Sequence, residues 1–282
     1  AYEGSIYDSS AKAYLLEDEQ VANFAADMLC SIANAKPASG VSQNLSRTNS
    51  RTLATNRGAG WQLDDCFAAY SDLLLFLVEY ASFDTQALIG KGITELTDDG
   101  ASNMAIKTGY TASLGNASGM AEGTNGKVSV TYRGVENGWG NIWKWLDGFN
   151  IYRDSTKSQH DLYYADHGYA DDTGATSYTK FNATLCQTGG YVSAFAYETD
   201  GDMDCLFVAS ETKGASNWGL CDYFYRNTSY TGWLAALLGG TWNDGDHAGV
   251  GFLHVHNAAS SCDRSVGARV LYVPNGNGEH KE

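Results

Sequence analysis

Hydrophobic residues recur at helical spacing in two stretches of the first hundred residues. In residues 17–35, Val21, Phe24, Ala25, Met28, Leu29 and Ile32 fall on one side of a helix whose first turn is acidic, which predicts an amphipathic helix. Residues 63–81 carry Phe67, Tyr70, Leu73, Leu74, Leu77 and Val78 and predict a second helix, apolar on most sides and packed on two faces. Between them, residues 36–57 are rich in Ser, Thr, Asn and Gly and read as a connector. Beyond residue 100 the period shortens to alternation, and residues 127–135, 191–198, 205–210 and 269–273 predict short strands. Trp143 and Trp145 flank Lys144 as a strand would, with both indoles on one face. Large aromatics among glycines more often build a core than a sugar-stacking platform. Two helices, then many short strands and long glycine-rich loops, predict an α+β fold.

Composition narrows the function classes. A chain of 282 residues, 43% hydrophobic, is long enough to bury a core. A formal charge of −15 argues against nucleic acid, whose phosphates need basic partners, and against docking on anionic membranes. No apolar run reaches spanning length, so membrane insertion is not expected. The first residues lack the basic and apolar pattern of a signal peptide. Thirty-two glycines against two prolines put the turns on glycine. Six scattered cysteines form no CxxC pair; they read as small buried side chains, with a Cys205–Cys221 bridge as one option.

The segment Gly140-Asn141-Ile142-Trp143-Lys144-Trp145 resembles the GN-V-W-E-W signature of the C-type lectin fold variant found in formylglycine-generating enzymes and viral receptor-binding proteins. Residues 56–93, 113–119 and 133–151 are similar to the frame of hypervariable phage proteins. Residues 235–240, Trp242-Asn243, Ala248-Gly249, 257–259 and 267–269 resemble the variable region of diversity-generating retroelement proteins. The resemblance covers most of the chain after about residue 50; residues 1–50 fall outside it and read as an N-terminal helical segment with its connector. It implies a C-type lectin domain over residues 51–282, with a variable ligand-binding region at about 233–270. Scaffold roles fall to Trp139, Trp143, Trp145, Trp242, Asn243 and Arg269.

Such proteins are diversified by a reverse transcriptase that errs at adenines, chiefly in AAY codons, which cannot become Lys, Glu, Gln, Met or Trp. Lys, Glu, Gln and Met make up 31 of 282 residues, yet none occurs in residues 233–272, where proportion would place about four. Trp occurs there only at 233 and 242, both frame positions. The candidate variable positions are Thr241, Asp244, Asp246, His247, Phe252, His254, His256, Ser260, Ser261, Cys262, Asp263 and Ser265, all reachable from AAY. Mixed Asp, His, Phe and Ser between constant small residues suits a binding surface better than a core. Phe252, His254 and His256 alternate with Leu253 and Val255, which predicts one outward and one inward row. Tyr223, Tyr225 and Tyr230 lie just upstream and extend the surface.

The implied function is recognition of a host cell-surface receptor, protein or glycan, from the virion surface at a viral tail-fibre tip, without catalysis or a cofactor. A homo-oligomer is open, though no heptad run argues for one. The alternative is a metal-dependent glycan-binding lectin, with Asp244 and its neighbours holding an ion. Trp242-Asn243-Asp244 spells the WND of calcium lectins, but no second loop with its proline is present. His247, His254 and His256 with Asp244 and Asp246 admit a metal reading that lacks supporting shell logic. Asp200, Asp202 and Asp204 begin like a calcium loop without its turn glycine and distal Glu; a solvated acidic turn is the plainer reading, structural calcium the other. An enzyme of the formylglycine-generating type would need a cysteine pair that nothing here identifies.

Overall fold

The computed structural model describes residues 1–18, 23–156, 160–199, 203, 205–218, 222–226 and 230–274. In chain order the strands and helices are β1 (Gly4–Asp8), β2 (Ala13–Tyr14), β3 (Met28–Ser31), α1 (Gly40–Gln43), α2 (Arg47–Thr55), β4 (Trp61–Leu63), α3 (Cys66–Tyr80) and α4 (Thr85–Leu88). There follow β5 (Gly119–Met120), β6 (Val130–Tyr132), β7 (Val135–Glu136), β8 (Trp143–Arg153), β9 (His160–Tyr164), β10 (Thr179–Lys180) and β11 (Gly190–Tyr191). The chain continues through β12 (Ala194–Tyr197), β13 (Phe207–Glu211), β14 (Tyr223–Tyr225), β15 (Gly232–Leu238), β16 (Leu253–Asn257), β17 (Val266–Gly267) and β18 (Val270–Tyr272). The result is α+β, with mostly antiparallel sheets and few helices.

The centre is a sheet of order β10-β9-β8-β15-β16-β14-β11, with β17 alongside β8. Its pairs are antiparallel except β14 with β16 and β17 with β8. Side-chain alternation gives this sheet two buried faces. One carries Trp143, Trp145, Leu237 and Phe252 into a cluster with Ile6, Leu29, Leu45, Leu53 and Leu63. The other carries Leu146, Ile151, Leu234, Phe224, Leu253 and Val255 against Tyr70, Leu73 and Phe76 of α3. Both indoles of Trp143 and Trp145 do share one face, and Trp145 donates its Nε1–H to the Leu45 carbonyl at 2.8 Å.

The predicted second helix forms as α3. Asp65 caps it by accepting the Ala68 N–H at 2.9 Å, and Ala81 closes it in the left-handed region. Its burial is narrower than expected, since Val78 stands exposed. The first predicted helix is overturned in its described part. Residues 28–31 form β3, paired antiparallel with β1 from Gly4↔Ser31 to Tyr7↔Met28. Asp27 accepts the N–H groups of Ser9 and Asn23, closing a turn just before that strand. Tertiary pairing with β1 outweighs the helical spacing; Val21 lies outside the described residues.

The expected connector also holds a helix. α2 is polar in composition, yet Arg47, Ser50, Leu53 and Ala54 form its buried side, and Ser46 caps it by accepting the Asn49 N–H at 3.2 Å. Arg47 reaches a register shift between β8 and β15, where Ala235 faces Asn150 but Ala236 faces Leu146. There its guanidinium donates to the Phe149 carbonyl at 2.7 Å and to Asn150 Oδ1 at 2.6 Å. Arg51 donates to the Asp147 carboxylate in the same bulge, and Asp171 bridges both arginines. Gly148 is required in that bulge: its φ is +86°, and a Cβ would lie 2.5 Å from Cys66 Sγ.

Candidate functional site

Strands β14 and β16 run parallel, with Phe224 opposite Leu253 and Tyr225 opposite His254. Leu253, Val255 and Phe224 therefore point into the α3-side core, as the alternation predicts. Tyr223 and Tyr225 fall on the same side as Phe252, His254 and His256, and their rings form a continuous chain. Trp143 meets Phe252 edge-on at 4.6 Å, Tyr225 stacks on His254 at 4.6 Å and 9°, and His256 contacts Tyr225 and Tyr230 at 5.2 and 5.3 Å. At the other end Tyr223 lies 4.1 Å from His247, and Tyr191 meets both. Trp143, expected only as scaffold, is the floor beneath this surface, touching Phe252 and His254. Tyr191 was legible only as a strand residue; its place beside Tyr223 comes from the β11–β14 pairing.

Exposure grades along the row. Phe252 is 2% exposed and His254 9%, His256 is half-buried, and Tyr225 and Tyr230 reach 36% and 52%. Phe252 thus departs from the expected outward row: it belongs to the core with Trp143 and Trp145, because the layer built from residues 1–63 covers that end of the sheet. Thr241 is also buried rather than at a surface, its N–H bound by the Asp244 carboxylate at 2.7 Å. Asp244 is engaged as that turn's cap, and burial lifts its carboxyl to about 6.

The two imidazoles make a proton-sharing pair, with His256 Nδ1 and His254 Nε2 2.9 Å apart. Burial, then the neighbouring His256, pushes His254 down to about 3, so the pair is neutral at physiological pH. The Nδ1 of His254 is buried and has no hydrogen-bond partner among the described residues.

The remaining positions form a separate loop. Gly40 N–H donates to the Asp263 carbonyl at 2.9 Å, and Cys262 Sγ lies 3.0 Å from Asn44 Oδ1. Ser265 donates through its hydroxyl to Asp263 at 2.6 Å, and its carbonyl accepts the Trp143 N–H, joining this loop to the aromatic floor. Ser260, Cys262 and Asp263 are exposed, Ser261 and Ser265 half-buried. Asp246 is exposed and faces Lys91 at 3.7 Å rather than the aromatic row.

Among the scaffold residues, Trp139 donates to the Gly90 carbonyl at 3.0 Å. Trp242 packs with Ile93, Ala105 and Ile142 beneath the Arg264 guanidinium. Arg269 is buried and donates to the Glu136 carbonyl at 2.7 Å. Asn243 is exposed, 3.3 Å from Asp98. Among the described residues no group of three or more His, Cys, Asp and Glu is placed to hold a metal ion. Asp200, Asp202 and Asp204 of the acidic run, and Cys221 of the candidate bridge, lie outside the described residues.

A scan of protein-family models finds no match to this chain, and a search of curated proteins finds no significant relative.

Proposed function

We propose that the chain is a hypervariable ligand-binding protein with a C-type lectin fold, carried at a viral tail-fibre tip and recognising a host-surface receptor. One observation carries the reading: six candidate binding residues, His247, His254, His256, Tyr223, Tyr225 and Tyr230, join in one aromatic and imidazole surface over a buried tryptophan floor. Tyrosine and neutral histidine give broad, amphipathic contact area at low entropic cost, which is the chemistry of a paratope. The absence of Lys, Glu, Gln and Met from residues 233–272 supports diversification of the same strand. Recognition then needs no chemistry: the sheet holds the backbone, and side chains at its open end supply affinity, multiplied by display in several copies.

Replacing Tyr225 and His256 together by Ala should abolish attachment to host cells while Tm falls by only a few degrees, about the effect of truncating half-exposed side chains. Undiminished attachment would refute the assignment of this surface. At the gene, the reading requires a near-copy of the segment encoding residues 234–269, differing at adenines, beside a reverse transcriptase. Attachment lost on chelation, with no such copy, would favour the metal-dependent lectin.

A further inference from the structure

A cavity of about 380 Å³ opens on the far side of the Gly245–His247 turn, which sends His247 to the aromatic surface and Asp246 to the cavity. Asp84, Asp222, Asp246, Lys91, Asn125 and Asn217 line it. Most of these groups already have work. Asp84 caps α4 by accepting the Ala87 N–H at 2.8 Å, Lys91 pairs with Glu95 and Asp246, and the Asn125 amide oxygen accepts the Lys91 N–H.

Asp222 is different. It is 6% exposed, and among the described residues its side chain receives a single hydrogen bond, from the Gly251 N–H to Oδ2 at 2.5 Å. No hydrogen bond reaches Oδ1 among the described residues. The backbone lies against this carboxylate so closely that a Cβ at Gly249 would sit 1.8 Å from Oδ1. Among the described residues no cation acts on it; the neighbouring charge is Asp84, of the same sign, and burial with that repulsion raises the carboxyl to about 7. An ionised carboxylate this deep is costly unless a cation completes it.

We propose that this cavity binds an alkylammonium or guanidinium group, held by Asp222 with the like-charged Asp84 beside it. The chain's net charge of −15 draws cations toward the site. The group has two sources: a lysine or arginine of a protein receptor, or an amino sugar of a glycan. Assigning it to the receptor rests on the ligand-binding reading above; the chemistry of the cavity does not.

The test is calorimetric titration of the full chain with Nα-acetyl-lysine methylamide, Nα-acetyl-arginine methylamide and glucosamine. Acetyl-norleucine methylamide and N-acetylglucosamine serve as neutral counterparts. At least one cationic probe should bind with millimolar Kd, its neutral counterpart at least about tenfold more weakly, and Asp222→Asn should weaken the cation by about tenfold or more. Preference for the amino-acid probes assigns the cation to a protein, preference for glucosamine to a glycan. Equal binding of neutral and cationic probes, unchanged affinity in Asp222→Asn, or no binding at about 50 mM probe would overturn the proposal. If the variant does not fold, the wild-type chain decides alone, titrated with the lysine and arginine probes, whose charge is constant over the range: affinity should rise by about an order of magnitude between about pH 6 and about pH 8 as Asp222 ionises. A flat profile counts against it. Tyr225→Ala with His256→Ala should leave probe binding intact, so failure here is separable from failure of the receptor reading.

Discussion

Phe252 and His256 fall on the same side of one extended segment yet belong to different parts of the molecule. Phe252 is walled by Trp143 and Tyr223, so Phe252→Ala should cost about 3–5 kcal/mol, read from denaturant unfolding; a loss below about 1 kcal/mol would mean the site collapses freely or is open. His254, between them, is held neutral by burial, with Trp143, Tyr225 and His256 as its ring neighbours. The unfolded chain binds a proton at this residue near pH 6.5, the folded chain only near 3. Stability from this residue is therefore complete above about 6.5 and is lost as pH falls through that window. Relative to His254→Leu, wild-type Tm should drop progressively from about pH 7 to about pH 4. A constant difference would show that the ring accepts its proton without cost.

The elements that position the surface are keyed by polar groups as much as by apolar ones. α2 reaches the β8 bulge through Arg47, which is fully buried and shares Asp171 with Arg51. Removing Arg47 strands the Phe149 carbonyl and weakens the compensation of Asp147 and Asp171. Arg47→Met should accordingly destabilise by about 3–5 kcal/mol. The same variant with Asp147→Asn and Asp171→Asn should recover part of that loss, whereas strict additivity would mean that the network is not coupled. This also explains why α2 was unreadable as a helix: its buried positions include Arg47 and Ser50, which no hydrophobic period marks.

In the whole molecule, residues 1–50 join the same core as the C-terminal strands. Ile6, Leu29 and Leu45 lie in the cluster with Phe252 and Val270, and Gly4 N–H donates to the Ala268 carbonyl at 2.8 Å. Buried Glu3 accepts from Asn137 and Asn141 and lies 3.6 Å from the Lys144 ammonium. A fragment of residues 51–282 should therefore lack a cooperative thermal transition and bind a hydrophobic dye. Cooperative unfolding of that fragment near the full-length Tm would show that the later residues fold alone.

The sequence by itself determined the α+β class, helix α3, the inward row of Leu253 and Val255 and the shared face of Trp143 and Trp145. Each follows from a local pattern that the tertiary context of this chain reinforces rather than overrides. It also pointed to Tyr223, Tyr225 and Tyr230 as an extension of the surface, while their ring contacts with the histidines come from the fold. Only the tertiary structure decided that residues 28–31 are a strand, that α2 exists, and that Phe252 is covered while His256 is half-open. Those outcomes depend on partners far along the chain: β1 across from β3, the β8 bulge around Arg47, and the N-terminal layer over one end of the central sheet. Periodicity tells which residues share a face; what lies on that face is set by segments that meet it only after folding.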